Sequence, residues 1–80
     1  MTFTVKFQQD LAQHIECIVN IDGKQRIFVL DKAWLTAPLK DLGVDENMML
    51  ALIIRFFAAM NNLTTAAEIR SAVESTEFKI

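Results

Sequence analysis

Residues 14–30 read HIECIVNIDGKQRIFVL, two runs of strand-like side chains on either side of Asp22 and Gly23. In the first run Ile15, Cys17, Val19 and Ile21 alternate with His14, Glu16, Ile18, Asn20 and Asp22, the period of two that marks a strand with one buried face. Asp-Gly tolerates the left-handed backbone that tight hairpins require, so residues 25–30 are expected to return antiparallel to the first run. The register depends on the loop. A two-residue turn sets Cys17 opposite Phe28 and Ile15 opposite Leu30 on the inner face, with Ile18 against Ile27 on the outer one. A three-residue loop exchanges the faces and brings Ile18 to Phe28. Both registers leave an apolar pair on the outer side of the sheet.

Working outward from this hairpin, Phe3, Val5 and Phe7 alternate with Thr2, Thr4, Lys6 and Gln8, which predicts a preceding strand. Residues 9–13 form a polar connection broken by Leu11. Downstream, Asp31 is placed to cap a helical turn over residues 32–35. Pro38 and Gly43 bracket a connector, residues 37–44, whose Leu39 and Leu42 are expected to face inward. Asp45 is the expected cap of a long helix, with Glu46 in the first turn, where the positive end of the helix dipole favours a carboxylate. Asn61 or Asn62 should end it. Thr65 and Glu68 match a capping box, predicting a second helix over residues 66–75 with Ile69 and Val73 on its buried stripe. Residues 77–80 alternate again and are a candidate short edge strand. The expected fold is a single α+β domain over residues 1–80. It is an antiparallel three-stranded meander, with residues 78–80 as a candidate fourth edge, packed on the long apolar helix and the shorter C-terminal one.

The long helix carries the functional clue. From Met48 to Met60, twelve of thirteen residues are apolar and only Arg55 is charged. At 100° per residue, Met49, Leu50, Ile53, Ile54, Phe56, Phe57 and Met60 fill a broad arc, opposite a narrow stripe of Asn47, Ala51, Arg55, Ala58 and Asn62. An open sheet covers one side of a helix, whereas this arc spans more than half its circumference. Three or four bare side chains would make a patch of roughly 400 Å², near the largest a monomer normally exposes. Self-association or a protein partner is the expected remedy, with closure by the connector and Trp34 as the intramolecular alternative. The interface candidates are Ile18, Trp34, Leu50, Ile54, Arg55, Phe56 and Phe57. Arg55 either reaches solvent along the helix or pairs with an acid on another chain. Trp34 either joins the core or anchors an interface.

Composition narrows the remaining classes. Ten acidic and eight basic residues, interspersed, give a net charge of −2, which argues against binding a phosphate backbone. Lys24 and Arg26, with Lys6, read as a solvated hairpin end. The apolar run of thirteen residues would extend only ~20 Å as a helix, short of the ~30 Å of a bilayer core. The alternating start lacks the apolar core of a signal peptide, and a lone cysteine fits a reducing compartment, so a cytoplasmic location is expected. His14 and Cys17 are three apart on a strand and therefore point to opposite faces, which defeats a metal or thiol–imidazole pair. Asp41, Asp45 and Glu46 cluster at a helix start, where capping explains the last two. Ser71 and Ser75 have no base at helical spacing. No catalytic, metal or cofactor residues are assigned. The expected function is a small non-enzymatic interaction module, most simply a homodimer. One alternative is a compact inhibitor or regulator of a larger protein. Another is a ligand-binding or enzymatic domain with a pocket between sheet and helix.

Overall fold

Asp22 and Gly23 both take positive φ, +50° and +86°, the left-handed pair of a two-residue type I′ turn. The turn selects the first of the two registers: Cys17 pairs with Phe28, Ile15 with Leu30 and Ile18 with Ile27. In the computed structural model, which describes residues 1–37 and 45–79, this hairpin joins β2 (His14–Ile21) to β3 (Lys24–Asp31). The expectation for Leu39 and Leu42 falls outside the described residues.

The fold is α+β. Strand β1 (Thr2–Asp10) pairs antiparallel with β2, and β4 (Glu77–Lys79) pairs antiparallel with β1, giving the order β3-β2-β1-β4. Strand β1 runs further than its alternation suggests. A register shift between Phe7 and Gln9 lets it continue beside β2 to Asp10, so Gln9 and Asp10 of the expected loop are strand and residues 11–13 make the connection. The inner face of the sheet presents Phe3, Val5, Phe7, Ile15, Cys17, Val19, Phe28 and Leu30, all buried. Phe78 stacks on Phe3 across the β1–β4 pair, ring centroids 5.0 Å apart.

Among the described residues three helices connect and cover this face. After β3, Asp31 accepts the Ala33 amide at 2.9 Å and starts the four-residue α1 (Ala33–Thr36), which buries Leu35. Helix α2 (Glu46–Met60) opens on Asp45, whose carboxylate accepts the Asn47 amide at 2.8 Å. It closes in a Schellman motif. The Leu63 amide donates to Ala58, the Asn62 amide donates to Ala59, and Asn62 takes φ +56°. Helix α3 (Ala66–Glu74) starts on Thr65, whose hydroxyl accepts the Glu68 amide. The capping box differs from expectation in its return bond. Glu68 accepts the Thr65 hydroxyl at 2.8 Å, tying side chain to side chain.

Ile69 and Val73 of α3 are buried, and α3 lies against β1. Arg70 fastens the two elements. Its guanidinium sits 5.1 Å from the Phe7 ring centroid and 3.0 Å from the Asp10 carboxylate, holding that carboxyl below its ordinary range. Helix α2 meets β3, α1 and α3. At the hairpin tip Arg26 pairs with Glu46 and the Val29 amide donates to the Asn47 side chain, so α2 begins beside the outer edge of β3.

Candidate functional site

Helix α2 turns its small side chains inward. Ala51 and Ala58 are buried together with Met48, Leu50 and Ile54, and the alanines allow the helix to sit close to its neighbours. The expected broad arc of large side chains is therefore split. Leu50 and Ile54 are sealed in the core, while Met49, Ile53, Phe56 and Met60 remain 55, 37, 69 and 71% exposed. These four fall within a wedge of about 60° on the helix wheel, a single open stripe that faces away from Ala51 and Ala58. On the wheel no charged residue falls within this wedge, since Arg55 lies on the opposite side.

Beside the N-terminal half of this stripe lies a groove of about 200 Å³. Its sheet wall is the hairpin end of the inner face, including Phe3, Ile21 and Phe28, and its helix wall includes Met49 and Ile53. The Arg26–Glu46 ion pair lines it as well, and the Arg26 guanidinium lies 5.3 Å from the Phe28 ring centroid. The groove is thus apolar, with one neutralised charge pair among its lining groups. Met49 and Ile53 belong both to groove and to stripe, so the two make one continuous apolar surface.

The seven residues singled out from sequence are distributed over several places. Phe56 stands on the open stripe. Leu50 and Ile54 are core residues and do not reach it. Phe57 is half-buried and meets Phe78 edge-on at 5.2 Å, and Trp34 packs half-buried against the core. Arg55 follows neither expected course. It donates to the carbonyls of Trp34 at 2.8 Å and Ala37 at 2.7 Å, tying α2 to the end of α1. Ile18 lies half-buried on the outer sheet face, where Ile27 is 65% exposed and Val29 is exposed as well. Met49, Ile53 and Met60 complete the stripe without having been candidates. Their spacing from Phe56, at seven, three and four residues, was the signal that could have found them.

The groups weighed for chemistry are occupied or apart. Cys17 has no exposed surface, and burial pushes its thiol up to about 12, while His14 is exposed. Asp45 caps α2, Glu46 pairs with Arg26, and the Ser75 hydroxyl donates to the Ser71 carbonyl. Asp41 lies outside the described residues. Among the described residues no cluster of three or more His, Cys, Asp or Glu is arranged to hold a metal ion. No described helix is long and apolar enough to cross a membrane. The chain matches no protein-family model, no curated protein and no solved structure.

Proposed function

We propose that this chain is a non-enzymatic protein-interaction module that self-associates through the open face of α2. The observation that carries the reading is the uninterrupted apolar stripe of Met49, Ile53, Phe56 and Met60. At roughly 200 Å² of surface per large side chain, their exposed fractions leave about 450 Å² of apolar surface on one face. That lies within the ~300–600 Å² of the largest patch on a typical monomer, a patch that is itself often functional. At ~25 cal/mol per Å², covering it contributes about 11 kcal/mol per subunit before the costs of association. A cytoplasmic site of action fits the single, fully buried thiol.

Sedimentation equilibrium tests the proposal. The native chain should move from 9.1 kDa towards twice that mass as concentration rises. Phe56→Glu, which sets a charge in the middle of the stripe, should stay monomeric throughout. A native chain that remains at 9.1 kDa at every concentration would refute self-association.

A second reading, a compact inhibitor or regulator that lies on a larger protein, is favoured by the outer sheet face. Ile27 and Val29 are exposed there on the edge strand β3, on the opposite side of the sheet from α2. Ile27→Lys should leave self-association intact under either reading, and would abolish complex formation with a larger protein only under the second.

A further inference from the structure

Resting on the proposed self-association, we infer that two copies pack α2 against α2 in antiparallel fashion, with Phe56 and Met60 of each copy closing the hairpin-end groove of the other. The two-fold axis passes the helix at a level midway between Ile53 and Phe56.

The spacing of the stripe supports this arrangement. Met49, Ile53, Phe56 and Met60 are separated by four, three and four residues, a pattern that reads the same in both directions. When the helix is turned end for end about its centre, Met49 meets Met60 of the second copy and Ile53 meets Phe56. Every large side chain then has an apolar counterpart, the self-complementarity that a two-fold interface demands. A parallel packing would instead set each residue against itself, at the same end of the molecule.

The position of the groove agrees with the antiparallel choice. It lies beside Met49 and Ile53 only, the half of the stripe that receives Phe56 and Met60 from the other copy. At about 200 Å³ it is smaller than the ~300 Å³ at which small-molecule pockets begin, so its scale suits inserted side chains better than a cofactor. The antiparallel pairing brings Phe56 and Met60 to both grooves, whereas a parallel one sets them against each other at the far end of the stripe. Antiparallel helices also set the positive end of one dipole beside the negative end of the other. The Arg26–Glu46 pair then falls at the polar rim.

The area places the assembly among the small, transient interfaces. Two stripes supply about 900 Å² between them, and the groove walls bring the total to the ~1,000 Å² at which specific interfaces begin. This is a weak dimer, which dissociates on dilution. A monomeric fraction at low concentration is part of the inference.

Cross-linking tests the geometry separately from the fact of association. Cys17 is buried, so thiols introduced on the stripe are the accessible ones. Met49→Cys and Met60→Cys are prepared as separate chains and treated with a short thiol-specific cross-linker, alone and mixed. In the antiparallel dimer two copies of position 49 are offset by about 16 Å along the helix axis, whereas positions 49 and 60 lie side by side. Covalent dimer should therefore form in the mixture and be scarce in either chain alone. In the native background, Phe56→Ala should raise the dissociation constant about thirtyfold, the effect of losing an interface-centre aromatic.

Cross-linking of Met49→Cys to itself as efficiently as to Met60→Cys would overturn the antiparallel packing. Dimers seen by sedimentation but giving no cross-link in the mixture would place the interface elsewhere and also overturn it, leaving self-association standing. A chain that never dimerises would remove both proposals.

Discussion

Cys17 has no solvent contact in the native chain, and its thiol is held neutral up to about pH 12 from an ordinary 9.0. The cause is burial between the sheet and the helices, which disfavours the thiolate. An unfolded chain ionises this group near its ordinary value. Above that value unfolding releases a proton, so the group's contribution is complete below about pH 9 and declines as the pH rises towards 12. The slope from this one thiol is at most ~1.4 kcal/mol per pH unit. Urea unfolding of the native chain and of Cys17→Ala at several pH values from about 8 to 11 measures it. The variant should be less stable at neutral pH and should lose less stability on going alkaline. Parallel curves for the two proteins would show that Cys17 contributes no proton linkage. At the same scale, Ile54 and Phe56 show what a sequence conceals. They stand two positions apart in one helix, and one has no exposed surface while the other keeps 69%. Hydrophobicity ranks them alike. The distinction arises because Ala51 and Ala58 form the side that approaches the rest of the fold, and a wheel that weights large residues points the helix the other way.

At the scale of elements, the short α1 depends on α2. Four residues are too few to hold a helix in water, and the last carbonyls of a helix in general need donors from outside it. Arg55 supplies them, donating to Trp34 and Ala37 from the adjacent helix. Arg55→Leu keeps the apolar stem but leaves two part-buried carbonyls short of a charged donor, a loss of about 1–3 kcal/mol. Because Arg55 points to α1 and away from the stripe, the dissociation constant of any dimer should stay unchanged. Urea unfolding together with sedimentation of the variant checks both halves. A variant as stable as the native chain, or one that fails to dimerise where the native chain succeeds, would contradict this assignment. The strands are largely legible, since period-two alternation marks the inner faces of β1 and β2 from the residues alone. The β2–β3 register was legible only down to two choices, which the positive φ values of Asp22 and Gly23 decide. The role of Arg55 was not legible. Its acceptors are backbone carbonyls, and these have no side-chain signature in the sequence.

At the scale of the molecule, one sheet face has to accommodate two helices in a chain of 80 residues. Helix α3 takes the β1 side and α2 begins beside β3, which leaves the hairpin end of the inner face as an open groove. Chains this short bury only about 60–65% of their unfolded surface, so their stability is modest and any further burial weighs heavily. Association through α2 would therefore couple to folding. If folded chains dimerise and unfolded ones do not, each tenfold rise in concentration stabilises a subunit by ~0.7 kcal/mol. For a domain of this size that lifts Tm by roughly 3–5 °C. Scanning calorimetry of the native chain over a hundredfold range of concentration should show this rise, and Phe56→Glu should remove it. Phe56 is exposed in the single subunit, so the variant should match the native Tm at the dilute end. A native Tm that ignores concentration, or a Phe56→Glu chain already unstable when dilute, would mean that the stripe stabilises nothing beyond the subunit that bears it.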